Sequence, residues 1–196
     1  PFPRAKASFY DPGIHIPLIM RWPGHIEGGR AFDQLLANVD FTPTILECCG
    51  LPEPDGLAGR SFLPLVEGRE YAERDAVFGA LFYDVSYDPM HYVRTCTHKY
   101  IRSFAVTPEE AAGADPEVLP VFAGGNWVRV DDLDVLSSPA WQSMSCDCSK
   151  PPPEELYDLV ADPLEQRNLA DDPASAGVLG EMRKAMEEMM DRTAAP

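Results

Sequence analysis

The stretch HYVRTCTHKYIRSFAV, residues 91–106, determines the architecture of the second half of the chain. Apolar and aromatic residues alternate with polar ones on either side of Thr97-His98, which is the pattern of two strands joined by a turn. A second β-rich run, AVFGALFY, occupies residues 76–83. Together these runs predict a small antiparallel sheet that begins after about residue 70.

The C-terminal residues complete this predicted subdomain. The run ELYDL, residues 155–159, predicts an edge strand that is followed by a turn at Asp162-Pro163. A final helix is predicted to begin at Asp172-Pro173 and to pack on the sheet. One face of this helix carries apolar residues at steps of three and four, which is typical of a packing surface: Leu179, Met182, Met186 and Met189. Residues 107–153 are acidic and contain several prolines, so we expect an irregular excursion.

The first part of the chain has a different pattern. Residues 6–24 read KASFYDPGIHIPLIMRWPG, and their apolar part, residues 14–22, predicts a short buried strand that a Pro-Gly pair ends. Residues 40–50 predict a helix that ends at Gly50, and residues 60–68 predict one or two helical turns.

These patterns predict an α/β (α+β) protein in two parts. We expect residues 1–70 to be the end of a large domain built on a mixed α/β sheet. We expect residues 71–196 to be a small C-terminal subdomain, an antiparallel sheet packed on the C-terminal helix. The chain has no initiator methionine, and we expect the residues that complete its site to lie upstream.

Composition excludes several classes of partner. The formal net charge of −16 repels phosphate backbones and anionic lipids, so we expect no nucleic-acid and no membrane partner. No apolar run approaches the roughly 18–20 residues that span a bilayer. The five cysteines are an odd number and lack a zinc-like spacing, so we expect idle thiols and no metal site in this chain. Nothing in the sequence indicates the compartment.

Lys6 is the sharpest catalytic candidate. It is a lone lysine in a turn before the predicted strand. An ammonium group at the mouth of a sheet can neutralise a transferring sulfuryl or phosphoryl group, or stabilise a leaving oxygen. A lysine in such a place is also commonly a solvated surface residue. The surrounding motif is needed to choose between the two roles.

Four motifs follow one another along the chain. They are K-x-x-x-Y-D-x-G-I-x-x-P-L-I-x-x-x-P-G from Lys6, NVDFTPTIL at residues 38–46, GRSFLPL at residues 59–65 and ELYDL-x-x-DP-x-E-x-x-NL at residues 155–169. In this order they resemble the segments of type I sulfatases, in the alkaline phosphatase superfamily, that follow the last metal-binding motif. The resemblance covers nearly the whole chain. PFPRAK at residues 1–6 and YDPMHYVR at residues 87–94 look most like heparan N-sulfatase (sulfamidase)-like members.

The resemblance implies hydrolysis of a sulfate ester or an N-sulfate. In the family scheme a hydrated formylglycine attacks sulfur, calcium or magnesium neutralises the oxygens, and the lysine matched by Lys6 contacts the sulfate. His15 stands where many members carry arginine, and we interpret it as structural. The Cys/Ser-x-Pro-x-Arg motif that yields formylglycine is absent, because the nearest match, SSPAW at residues 137–141, lacks the arginine. We therefore expect the isolated chain to have no turnover and to bind no metal.

Two further residues are candidates for substrate binding. Asp84 and His91 flank a loop rich in Tyr, Asp and Pro after the first strand of the small sheet. In related enzymes this region faces the substrate pocket, so the resemblance implies that they contact a sulfated small molecule or glycan. A solvated or hydrogen-bonded loop role is the alternative for both.

Two other functions remain open at this point. One is a phosphodiesterase or phosphonate hydrolase of the same superfamily, and the other is a non-catalytic binding or interaction module. Exposed sheet edges also predict self-association of this chain.

Overall fold

The computed structural model describes residues 8–83, 87–104 and 152–193. They divide into two units. One unit comprises Pro17–Val77 and Arg94–Thr97, and the other comprises residues 8–16, 78–83, 87–93, 98–104 and 152–193. No helix in the described ranges is long and apolar enough to cross a membrane. The predicted excursion lies outside the described residues, except for its last two positions.

The predicted antiparallel sheet is confirmed. Its strands, β1 (Val77–Tyr83), β2 (Tyr87–Arg94), β3 (His98–Ser103) and β4 (Glu154–Asp158), lie side by side in sequence order. Tyr100 of β3 pairs with Leu156 of β4 in an antiparallel register, and β4 forms an edge, as predicted. Because side chains alternate along a strand, Lys99 and Tyr100 belong to opposite faces of this sheet.

The C-terminal helix contacts the Tyr100 face. We number the α-helices in chain order, and this last one, α4, spans Ala176–Thr193 after a single 3₁₀ turn. The Asp172 carboxylate accepts a hydrogen bond of 3.0 Å from the Ala174 N–H at the start of this 3₁₀ turn, which confirms the predicted cap. Leu179, Met182 and Met186 are buried, so the methionine stripe is a packing surface, as predicted.

A short segment near the N-terminus covers the Lys99 face. It contains the one-turn helix α1 (Asp11–Ile14), which the sequence pattern did not predict. Phe9 forms a buried cluster with Met90, Ile101 and Tyr157, and the ring centroids of Phe9 and Tyr92 lie 4.7 Å apart. The sheet is therefore the middle layer of this unit, between residues 8–14 and α4.

The other unit is organised by Asp40, which is fully buried. It is the last residue of a 3₁₀ turn (Asn38–Asp40) and directly precedes helix α2 (Phe41–Cys48). Its carboxylate accepts hydrogen bonds of 2.9 Å from the Ala37 and Arg60 N–H groups. The Thr44 hydroxyl donates to the Asp40 carbonyl at 2.6 Å and accepts from the Phe62 N–H at 3.1 Å. The NVDFTPTIL and GRSFLPL motifs thus meet in space.

Both predicted helical segments of this unit are confirmed. Helix α2 ends shortly before Gly50, which has a φ of +65°. Helix α3 (Leu63–Glu67) ends at Gly68 and buries Leu63 and Val66 beside Phe62. Gly59 is required where it stands, because a Cβ atom there would lie 1.9 Å from the Val39 carbonyl oxygen.

The predicted buried strand at residues 14–22 is wrong. Ile14 ends α1, and residues 15–22 form no strand. Ile16 and Ile19 are 53% and 92% exposed. A strand forms only when a neighbour satisfies its backbone N–H and C=O groups, and no described residue pairs with this run.

Candidate functional site

The structure describes one of the three predicted site residues. Lys6 and Asp84 lie outside the described residues, so their predicted roles stay predictions. His91 is described and lies in β2.

His91 is held between two aromatic rings. Its imidazole makes edge-to-face contacts with Phe82 and Phe104, with ring centroids 5.5 Å and 5.1 Å away. Burial lowers the pKa of His91 below its ordinary value, so the ring is neutral at pH 7. The Arg102 guanidinium lies 4.9 Å from the Phe104 ring centroid. A neutral imidazole here can donate one hydrogen bond and accept another, but it supplies no charge to an anion.

The sequence reasoning missed a pair of fully buried charged groups in the unit that contains the sheet. Lys99, in β3, is fully buried, and its ammonium lies 2.5 Å from the Asp11 Oδ1 atom and 2.6 Å from the Glu165 Oε1 atom. Glu165 is also fully buried, and its Oε2 atom accepts a hydrogen bond of 2.6 Å from the Asp11 backbone N–H. One cation is thus shared by two carboxylates from distant parts of the chain.

A second carboxylate system lies beside the first on the same face. Glu155, in β4, accepts a hydrogen bond of 2.7 Å from the Tyr10 hydroxyl and another from the Tyr157 hydroxyl. We call these six residues the anchor cluster: Tyr10, Asp11, Lys99, Glu155, Tyr157 and Glu165. Each of its long-range bonds involves Tyr10, Asp11 or Lys99.

Some residues of the anchor cluster could have been identified from the sequence. Glu155, Tyr157 and Glu165 belong to the motif at residues 155–169, and Lys99 occupies an inward position of an alternating strand. A buried lysine requires an anionic partner, because an isolated charge is very costly to remove from water. Glu165 has a φ of +55°, a left-handed conformation that is uncommon for a residue with a side chain.

The anchor cluster is suited to holding parts of the chain together and not to binding an anion. The Lys99 ammonium is enclosed and neutralised by two carboxylates, so it offers no charge to an incoming anion. Among residues 8–83, 87–104 and 152–193, no group of three or more His, Cys, Asp or Glu side chains is arranged to hold a metal ion. The described residues therefore do not fit a resident metal.

Comparison with known proteins identifies the class of protein. The family model described as N-sulphoglucosamine sulphohydrolase, C-terminal, matches residues 5–111. The chain belongs to this family of sulfatases and corresponds to a C-terminal portion of its members.

Individual relatives agree with this assignment. An ulvan-active sulfatase of Formosa agariphila is 30% identical over 97% of this chain and 31% of its own length. The human N-sulphoglucosamine sulphohydrolase is 27% identical over 100% of this chain and 40% of its own length. A solved 2-O GAG sulfatase shares the fold with a TM-score of 0.66 and 24% identity, over 96% of this chain and 32% of that one. The chain spans about a third of the length of the first curated relatives that it matches.

Proposed function

We propose that this chain is the C-terminal part of an enzyme that hydrolyses sulfate esters or N-sulfates, and that Lys6 contacts the sulfate group of the substrate. The observation that carries this proposal is the family match over residues 5–111, a span that includes Lys6, Asp84 and His91. An ammonium group beside the sulfate would neutralise charge that shifts onto oxygen as the bond to sulfur breaks. In this scheme residues 1–70 end the catalytic domain and residues 71–196 form its C-terminal subdomain.

The nucleophile and the divalent cation belong to another part of the protein in this proposal. We expect a formylglycine and a calcium or magnesium ion, because the motifs of the chain resemble those of sulfatases that use them. A bound cation of this kind supplies charge neutralisation and polarises the sulfate oxygens. Since the described residues do not fit a metal, we expect the isolated chain to release no sulfate.

Asp84 and His91 are proposed to contact the organic part of the substrate. The neutral imidazole of His91 is suited to a sugar hydroxyl, since its lowered pKa leaves it uncharged at pH 7. A glycan of the N-sulfoglucosamine type is the substrate we favour. Support comes from the matched family and from the human N-sulphoglucosamine sulphohydrolase, which aligns with the whole of this chain.

The substrate class is tested with the full-length protein that contains this chain. The purified enzyme, with added calcium, is assayed on N-sulfoglucosamine, an aryl sulfate, a phosphate diester and a phosphonate monoester. We expect release of sulfate to exceed release of the phosphorus-containing products by at least about 100-fold in kcat/KM. Faster cleavage of the phosphonate would favour the phosphonate hydrolase alternative. Failure to cleave any of the four, in protein that is folded, would favour a non-catalytic module.

Self-association of the isolated chain is a separate proposal. Ile16, Leu18 and Ile19 are exposed, and they form a continuous apolar run with only Pro17 among them. Exposed apolar surface of this kind favours association. Sedimentation velocity should show oligomers for the wild-type chain and a shift to monomer for Ile19→Lys; a monomeric wild type would contradict the proposal.

A further inference from the structure

We propose that the anchor cluster fixes residues 8–14 in place, and that Lys99, Asp11 and Glu165 thereby act on Lys6, which lies two positions before this segment in the sequence. This inference rests on the proposed function, in which Lys6 contacts the sulfate.

Three contacts of the anchor cluster hold Tyr10 and Asp11 of this segment. Tyr10 and Asp11 are held by the Tyr10 hydroxyl on Glu155, the Asp11 carboxylate on Lys99 and the Asp11 N–H on Glu165. These contacts join residues separated by 145, 88 and 154 positions in the sequence. Lys6 precedes Asp11 by five residues, so chain length alone keeps the two Cα atoms within about 18 Å. Holding Asp11 in place therefore restricts the volume that Lys6 can reach.

The bonds of the anchor cluster are directional in a way that apolar packing is not. The Asp11 side chain and the Asp11 backbone are each fixed by a different partner, and this defines both the position and the rotation of the peptide. Buried ionic groups are often no better for stability than apolar ones of the same size, although in some proteins they fix one arrangement of the chain. The Phe9 cluster already gives this segment its apolar contact. The ionic bonds thus add orientation to a segment that the hydrophobic core holds in place.

The sheet does not depend on these bonds for its own pairing. Its strands are joined by backbone hydrogen bonds, and α4 packs on the opposite face. Loosening the anchor cluster should therefore free residues 8–14 before it disturbs α4. A role confined to overall stability predicts the opposite, a uniform loosening of the whole unit.

The experiment uses Asp11→Asn, which keeps the backbone N–H and the side-chain volume but removes the charge that faces Lys99. Tyr100→Phe is the matched control, because it removes a buried hydroxyl from the adjacent residue of β3 on the opposite face. Hydrogen exchange is measured by mass spectrometry in the full-length protein, on peptides that cover residues 8–14 and residues 176–193. We expect Asp11→Asn to raise exchange at least about tenfold in the first peptide only, and Tyr100→Phe to leave that peptide unchanged.

Activity provides the second readout, in the full-length enzyme. A misplaced catalytic group typically costs about 100-fold, so Asp11→Asn should lower kcat by about that factor and change KM little. Lys6→Ala should lower kcat by about 100- to 1,000-fold. The double variant should be no slower than Lys6→Ala alone, since an anchor cannot matter once the group it positions is gone.

The two proposals fail in different ways. Multiplied losses in the double variant, or unchanged exchange at residues 8–14 in Asp11→Asn, would overturn the positioning role. A wild-type enzyme that releases no sulfate would overturn the proposed function, while the exchange experiment would still decide whether the anchor cluster holds the segment.

Discussion

The two faces of the sheet are held by different kinds of contact, although Lys99 and Tyr100 are adjacent in β3. The first face is the one that carries Lys99. There, Lys99 and Glu165 are fully buried, and the ion pair between Lys99 and Asp11 joins residues 8–14 to the sheet. The second face is the one that carries Tyr100, and the apolar side of α4 packs on it. The Arg183–Glu154 ion pair lies at the margin of this face, and its side chains are 43% and 26% exposed. Both faces bury apolar side chains, but the Lys99–Glu165 ion pair of the first face is fully buried whereas the ion pair of the second is partly exposed.

The electrostatics of the second face follow from its partial exposure. The hydrogen bond from Arg183 lowers the pKa of Glu154, although burial opposes this effect. Burial, together with the hydrogen bond to Glu154, raises the pKa of Tyr100 to about 12. Water screens the ion pair, so its contribution to stability is small.

The largest expected effect is on the buried face. Lys99→Met removes the cation from between two carboxylates and leaves Glu165 buried without a counter-charge, which should cost about 3–5 kcal/mol in the free energy of unfolding. Urea unfolding of the purified chain measures this cost, with Lys184→Met on the exposed side of α4 as the matched control. A loss below about 1 kcal/mol would show that the two faces do not differ in the way described.

A smaller loss in the free energy of unfolding is expected for variants on the apolar side of α4. Leu179→Ala removes a buried side chain beside the sheet and should cost about 2–4 kcal/mol, because it leaves a cavity. Met189→Ala, at a half-buried position of the same stripe, should cost about 1 kcal/mol or less. The same urea experiment measures both variants. Equal losses in the free energy of unfolding would contradict the view that the more deeply buried position of this stripe contributes more to stability.

The smallest effect is expected for the ion pair at the margin of the second face. Arg183→Met should cost about 0.5–1 kcal/mol at pH 7, after allowance for screening. Since the folded-state pKa of Glu154 is lowered, the pair stabilises the chain above the ordinary Glu value of about 4.3 and loses this contribution as the pH falls through the lowered value. The difference between wild type and Arg183→Met should therefore vanish in acid. A difference that grows in acid would contradict the assignment.

Local patterns in the sequence predicted much of the fold. The hairpin of β2 and β3 follows from alternation within residues 91–106, and α4 follows from its cap and its methionine stripe. The run at residues 14–22 misled because an apolar run shows suitability for a strand but not the presence of a partner. Local reasoning could identify Lys99 as an inward-facing lysine, but it could not find Asp11 and Glu165. Those partners lie 88 and 66 positions away in sequence and meet Lys99 only through the fold.

The candidate site depended on a different kind of signal. Lys6 and Asp84 were identified by motif resemblance, and the structure describes neither. His91 was identified in the same way, and its neutral state became apparent only from its contacts with Phe82 and Phe104.

The proposed contact between Lys6 and the sulfate group can be tested with three forms of the enzyme. Sulfate release from N-sulfoglucosamine is measured for the full-length enzyme as wild type, Lys6→Ala and Lys184→Ala. We expect Lys6→Ala to lower kcat by about 100-fold or more, and Lys184→Ala to match the wild type. A folded Lys6→Ala enzyme with wild-type kcat would contradict it.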